Sequence, residues 1–160
     1  MRLTLALSSA AVADLVSLTH AYDLSLEEIV STGPDIAAGI AKIIGKSNSY
    51  MAILVENGTG QMAYRLAIPT MEEYRRTPKN VAVIGNLDDV GGVIADALIE
   101  LGFDDHAFDE AASVLSASVK EAIGYGIQTY LLLLKAAMLK PGKVGVVSET
   151  DNAFYPVSFK

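Results

Sequence analysis

The chain has 160 residues, of which 51% are hydrophobic and 19% charged, and it contains no cysteine. This composition is typical of a globular protein long enough to bury a core, and it excludes disulfide frameworks, thiolate catalysis and cysteine-ligated metal centres. The formal net charge of −7 argues against nucleic-acid binding, because neutralising phosphates requires a basic face.

The apolar segments are short for targeting or for membrane insertion. The run at residues 3–7 is shorter than the apolar region of a secretory signal, and the run at residues 130–134 ends at Lys135, far below the roughly 20 residues of a membrane span. We therefore expect a cytoplasmic protein that makes no membrane contact. The low share of charged residues predicts that apolar surface is covered by a subunit interface, so we also expect a homo-oligomer.

The first half of the chain begins with a predicted strand and a predicted helix and ends with a hairpin. Residues 3–7 form an apolar run typical of a strand, and residues 10–19 have the apolar spacing of a helix. Residues 50–55 and 61–68 flank a loop rich in glycine and asparagine, which predicts a β-hairpin. Alternation along the second hairpin strand predicts a core-facing set of side chains, namely Met62, Tyr64, Leu66 and Ile68.

A second helix is predicted between the first helix and the hairpin. Ser25 and Glu28 have the Ser-x-x-Glu spacing of a capping box, which marks a helix start. Gly33-Pro34 is expected to interrupt this helix, since proline cannot continue the donor ladder. The helical pattern resumes at residues 35–44, and Gly45 is a natural stop.

The second half begins with a predicted strand, a helix and a long helical pattern. Residues 81–84 read as a buried strand, and residues 89–101 as an amphipathic helix. The pattern stays helical over residues 108–139, longer than a compact domain of this size is wide, so we expect a break at Gly124-Tyr125-Gly126. The apolar run within it predicts a central, buried helix.

The predicted elements give an α+β fold with a mixed or antiparallel sheet covered by helices. A closing hairpin over residues 144–147 and 154–159, with Pro156 at a sheet edge, completes it. We expect a single domain over residues 1–160, with halves 1–68 and 81–160 joined by a polar linker at 69–80. Both halves read β-α-α-β-β, either as a pseudo-repeat or because small domains reuse few connections. A cleft between the halves is the first place to expect a ligand.

Acidic residues cluster in the second half. The segment 86–110 contains no Lys or Arg and holds eight carboxylates: Asp88, Asp89, Asp96, Glu100, Asp104, Asp105, Asp109 and Glu110. With His106 nearby, Asp88 and Asp89 are candidate ligands for a divalent cation such as Mg²⁺ or Ca²⁺. The alternative is that these carboxylates cap helices or face water. Two aspartates after the strand also disfavour a phosphate-binding turn, because they would repel the phosphate.

Aromatic and basic residues supply the candidate ligand contacts. Tyr125, between two glycines, is the best single candidate, and Tyr64 is a second; the alternative for both is packing in a core or an interface. Arg75 and Arg76 lie in the only basic cluster, where they could meet an anionic ligand or the acidic segment of a neighbouring subunit, or be solvated.

No motif in the sequence specifies a reaction. We therefore expect a soluble, oligomeric small-ligand-binding or assembly module without evident catalytic machinery. The alternative is a divalent-metal-dependent enzyme that acts on a small polar substrate. A divalent cation is the one cofactor that the residue pattern brings into consideration.

Overall fold

The computed structural model describes residues 1–45, 48–86, 93–140 and 142–157. These residues form two antiparallel sheets, with strand orders β4-β1-β5 and β3-β2-β6-β7, together with five helices. The α+β fold with antiparallel sheets and helices is therefore confirmed. In chain order the elements are β1 Arg2–Leu7, α1 Ser9–Tyr22, α2 Leu26–Ile44, β2 Ser49–Asn57, β3 Gly60–Arg65, α3 Met71–Arg76, β4 Val81–Ile84, β5 Ala97–Gly102, α4 Asp109–Leu115, α5 Val119–Leu139, β6 Lys143–Ser148 and β7 Ala153–Pro156.

Each sheet joins strands from both halves of the sequence. Strand β1 pairs with β4 and β5, and β2 pairs with β6, so that Ala52 lies opposite Gly145. One apolar cluster contains side chains from both sheets and from helices α1, α2 and α5. The two predicted hairpins are confirmed as β2-β3 and β6-β7. Pro156 lies on the edge strand β7, as predicted.

The capping signals in the sequence are confirmed at α2 and recur at α5. The Ser25 hydroxyl accepts the Glu28 backbone N–H at 3.1 Å, and the Glu28 carboxylate accepts the Ser25 N–H at 2.8 Å. Ser118 and Glu121 make the same pair of bonds. The preceding helices also end alike, with a left-handed residue two positions before each capping serine. The left-handed residue and the capping serine are thus two positions apart in both halves of the chain. A repeat of the complete halves stays a prediction.

Helix α2 runs through Gly33-Pro34, so the predicted interruption is wrong. Pro34 lies inside the helix, and both residues are buried. A Cβ built on Gly33 would lie 2.6 Å from the carbonyl oxygen of Gly126 in α5. The two helix backbones therefore touch at this point. Close packing of α5 on this turn stabilises a helix that local sequence preference alone would break.

Helix α5 is also continuous, so the predicted break at Gly124-Tyr125-Gly126 is wrong. The pattern instead breaks at Ser116, which has a φ of 52° and ends α4. Glycine in this helix serves interhelical contact: Gly126 lies against Pro34, and Gly124 lies against the ring of Tyr74. The predicted central, buried position of α5 is confirmed, since Tyr130 is 1% exposed and Leu133 fully buried.

The predicted helix over residues 89–101 is wrong for its described part. Residues 97–102 form β5, in which Ile99 lies opposite Leu5 of β1. Side chains along β5 alternate between half-buried and exposed, the two-residue period of a strand. Asp96 and Glu100 consequently share no helix face. Pairing with β1 outweighs the helical preference of the Leu and Glu residues in this segment.

The predicted core-facing side of β3 is wrong. All six residues of this strand are exposed, with Met62 at 51% and Tyr64 at 37%. The physical reason is position, because β3 is an edge strand of its sheet. Only Leu66 and Ile68, beyond the strand end, pack against the core.

The segment between β3 and β4 is packed and helical. It contains α3, where Tyr74 is 3% exposed. Helix α5 has the length and apolarity of a membrane span, but 56% of its most apolar window is buried inside the protein. In this fold α5 is the core helix of a globular domain.

Candidate functional site

A cavity of about 330 Å³ lies between α1, α5 and the segment 69–81. Its volume is at the lower end of the range for small-molecule sites. Buried residues from three elements form its apolar floor: Ala11 of α1, Val81 of β4 and Leu131 of α5. The cavity is therefore a junction of both halves of the chain, with walls that belong to the packed core.

One face of α5 forms the longest wall of the cavity. Tyr125, Gln128, Leu132 and Lys135 follow one another at intervals of three or four residues and all line it. This spacing places side chains on the same side of a helix. The face exists only because α5 is unbroken through Tyr125, which depends on the glycine contacts on both sides of that residue.

Residues at both ends of the segment 69–81 line the cavity, and two tyrosines fix the segment to α5. The rings of Tyr74 and Tyr125 meet edge to face, with centroids 5.6 Å apart. The Tyr125 hydroxyl donates a hydrogen bond to the carbonyl oxygen of Pro69 at 2.6 Å. Because Gly124 has no side chain, the Tyr74 hydroxyl reaches the surface of α5. These contacts hold Pro69 and α3 against α5.

Both phenols are held in the neutral form. Burial raises the pKa of Tyr125, and a hydrogen bond with Thr129 offsets part of that rise. Burial also raises the pKa of Tyr74, with a further rise from the carboxylate of Glu121. At neutral pH these hydroxyls serve as hydrogen-bonding groups, and neither supplies a phenolate base.

Arg75 fixes α3 to the junction of α4 and α5. Its Nε donates to Glu121 Oε2 at 2.6 Å, and its Nη2 donates to the Ser116 carbonyl oxygen at 3.0 Å. Arg75 therefore stabilises the capping box at the start of α5. Bonds from Arg75, and from the backbone of Ser118, lower the pKa of Glu121.

Replacement of Glu121 by Gln is expected to change how stability depends on pH. Because the folded-state pKa of Glu121 lies below its ordinary value of 4.5, the carboxylate stabilises the fold above that pH and loses this effect as the pH falls through the folded pKa. Urea unfolding above and below pH 4.5 should show a deficit for Glu121→Gln that shrinks on acidification. Glu28→Gln is the matched control, since it removes a capping carboxylate without touching Arg75. An equal deficit at all pH values would contradict the expectation.

An ion pair lies at the mouth of the cavity. Lys135 Nζ lies 3.2 Å from both carboxylate oxygens of Asp14. The two side chains are 55% and 36% exposed, so water reaches the pair. Asp14 comes from α1 and Lys135 from the last third of α5, and the pair joins these helices across the opening.

The predicted ligand contacts occupy separate places. Tyr125 lines the cavity, whereas Tyr64, Arg75 and Arg76 do not. Tyr64 lies on β3 beneath the ammonium of Lys140, 3.7 Å from its ring centroid. Arg76 pairs with Glu72 at 3.0 Å on the exposed side of α3. Ligand binding by these four residues stays a prediction.

Of the three predicted metal ligands, His106 alone lies within the described residues, so the metal site stays a prediction. His106 Nδ1 lies 2.7 Å from Asp109 Oδ2, and the His106 side chain is 89% exposed. Asp88 and Asp89 lie outside the described residues. In the part of the chain that the structure describes, no three His, Asp or Glu side chains form a group able to hold a metal ion.

Sequence reasoning did not identify Asp14, Gln128 or Lys135 as site residues. The spacing of Tyr125, Gln128, Leu132 and Lys135 was the available signal, but it is visible only if α5 is taken as continuous. Asp14 gave no signal, because its place depends on how α1 packs against α5.

Comparison with protein-family models, with curated proteins and with solved structures finds no match for this chain. The function is therefore argued from the geometry of the cavity and from the chemistry of its walls.

Proposed function

We propose that this chain is a binding module for a small amphipathic molecule, which occupies the cavity between α1, α5 and the segment 69–81. The observation that carries the proposal is a cavity of about 330 Å³ whose lining combines apolar and polar side chains. Ligand sites in proteins have this combination, in which apolar surface gives affinity and a few polar groups fix orientation.

The polar groups of the cavity are placed to orient a ligand. Tyr125 and Thr129 share a hydrogen bond on the α5 wall, and Gln128 adds an amide on the same face. Asp14 and Lys135 lie at the mouth. Apolar parts of a ligand would contact Leu132, the half-buried apolar side chain of the α5 wall.

Filling the cavity is expected to weaken binding without unfolding the protein. Leu132 lines the cavity and is half-buried, so Leu132→Trp adds an indole at its wall. A library of small polar and amphipathic molecules should contain compounds that raise the melting temperature of the wild type, as ligands of a native state do. The same compounds should lose at least about tenfold in affinity for Leu132→Trp, equivalent to about 1.4 kcal/mol.

Met138→Trp is the matched control for this experiment. Met138 lies on the same helix, is 50% exposed and does not line the cavity, so the new indole leaves the site open. Ligands should bind this variant as they bind the wild type. Compounds that stabilise Leu132→Trp and the wild type equally would show that binding occurs elsewhere and would remove the basis of the proposal.

Oligomerisation and a cytoplasmic location belong to the same proposal. Exposed apolar side chains support a covering partner, with Ile94 at 82%, Val16 at 65% and Leu98 at 54% exposure. The metal-dependent enzyme stays the alternative prediction, since Asp88 and Asp89 lie outside the described residues. None of the described side chains favours that alternative over a binding module.

A further inference from the structure

We propose that the ligand is a zwitterionic α-amino acid with an apolar side chain, recognised by the ion pair at the cavity mouth. The inference rests on the proposed function and names its ligand class. Asp14 and Lys135 are the two charged side chains among the described residues that line the cavity. With Lys135 Nζ at 3.2 Å from both oxygens of Asp14, opposite charges stand side by side and the lining has no net charge.

Adjacent charges on the protein match adjacent charges on the ligand. An α-amino acid carries its ammonium and carboxylate on the same carbon atom, so both groups reach a close pair of opposite charges together. The ammonium would meet Asp14, the carboxylate would meet Lys135, and one ion pair would be exchanged for two. A net anion would gain from Lys135 alone and be repelled by Asp14, whereas a net cation would gain from Asp14 alone.

The lining of the cavity favours an apolar side chain on the same molecule. The apolar surface that a ligand can cover belongs to Leu132, which is half-buried, and to the exposed Pro69 and Pro78. A charged group placed against these side chains would lose its hydration without a described partner of opposite charge, which is costly. The charged head therefore stays at the ion pair, while an aliphatic side chain covers Leu132 and gains from apolar burial.

The expected charge selectivity is moderate, because the ion pair is partly exposed. Asp14 is 36% and Lys135 55% exposed, so solvent screens their attraction for a ligand. Contacts of this kind change affinity by up to about fivefold per charge. One amino acid and three of its derivatives can resolve such differences, because the apolar part stays constant.

The experiment compares L-leucine with three derivatives in thermal-shift and calorimetric titrations of the full chain. N-acetyl-L-leucine keeps the negative charge, L-leucinamide keeps the positive charge, and N-acetyl-L-leucinamide keeps neither. L-leucine should bind most tightly, and each lost charge should weaken binding by up to about fivefold. Leu132→Trp should weaken binding of all four.

Variants of the ion pair assign the two charges to their partners. Lys135→Gln should weaken the binding of L-leucine and N-acetyl-L-leucine but leave the binding of L-leucinamide unchanged or tighter. Asp14→Asn should weaken the binding of L-leucine and L-leucinamide but leave the binding of N-acetyl-L-leucine unchanged or tighter. The double exchange Asp14→Lys/Lys135→Asp should retain L-leucine, since the amino acid can reverse its head. Lys42→Gln is the control, because Lys42 pairs with Glu110 at 3.9 Å and does not line the cavity.

Two results would overturn the inference. If N-acetyl-L-leucinamide binds as tightly as L-leucine, the ion pair does not recognise the ligand. If none of the four compounds binds the wild type, the ligand class is wrong. In both cases the proposed function is still decided separately by the library compounds and their response to Leu132→Trp.

Discussion

Replacement of Gly126 by Ala is expected to destabilise the protein by about 3 kcal/mol, the upper part of the range for overpacked cores. A Cβ at this position would lie 2.5 Å from Pro34 Cα and would also meet the Pro34 nitrogen, both of them backbone atoms. Backbone cannot rotate away as a side-chain end can, so α2 and α5 would have to separate. Because these helices share the core with both sheets, the separation would disturb packing throughout the domain.

Gly39→Ala is the matched control for Gly126→Ala. Gly39 also lies inside a long helix, but a Cβ there would meet nothing within 4 Å. Alanine should therefore stabilise α2 by up to about 1 kcal/mol through helix propensity. Urea unfolding of both variants gives the measurement. A loss for Gly126→Ala no larger than about 0.5 kcal/mol would show that the helices do not cross at this glycine.

Local signals in the sequence predicted the capping box of α2 and most strands, because the interactions that create them are local. Ser25 and Glu28 bond to each other's backbone across one helical turn, so their spacing alone specifies the structure. The strand over β1 and the two hairpins follow from apolar alternation and turn residues in the same way. These elements needed no knowledge of distant parts of the chain.

Contacts between distant segments explain the wrong predictions. Gly33-Pro34 and Gly124-Tyr125-Gly126 are helix-breaking by local preference, yet each lies in a continuous helix because the two helices touch there. The strand β5 has residues that favour a helix, but pairing with β1 decides its conformation. In each case the segment that determines the conformation is remote in sequence, so no local pattern predicts the contact.

The candidate site illustrates the same limit. Tyr125 was identified because it lies between two glycines at an expected helix break; α5 is continuous there, and Tyr125 lines the cavity. Asp14 and Lys135 were not identified, since their pairing across the mouth depends on how α1 packs against α5. The polar segment 69–80 was predicted as a linker, and the buried position of Tyr74 within it gave no signal in the sequence.

Replacement of Tyr74 by Ala is expected to cost about 3–5 kcal/mol, as for other large buried aromatic side chains. The ring is 3% exposed, contacts Tyr125 edge to face and lies 4.9 Å from the ammonium of Lys79. Its loss removes the main apolar anchor of α3. Hydrogen exchange should accelerate in the segment 69–80 more than in β2 or β6. Without the Tyr74 ring, this segment is held mainly by the hydrogen bond from Tyr125 to Pro69 and by Arg75.

A double-mutant cycle tests whether the Tyr74 hydroxyl occupies the space that a side chain at position 124 would need. A Cβ at Gly124 would overlap the Tyr74 hydroxyl oxygen, whereas its distance to ring carbon Cζ would be 3.4 Å, an ordinary contact. Gly124→Ala should therefore cost about 1–3 kcal/mol in the wild type. In a Tyr74→Phe background the oxygen is gone, and the same change should be nearly neutral or gain from helix propensity. Additive effects of the two substitutions would mean that the Tyr74 hydroxyl does not reach α5. The segment around α3 would then be held against α5 by Arg75 and Tyr125 instead.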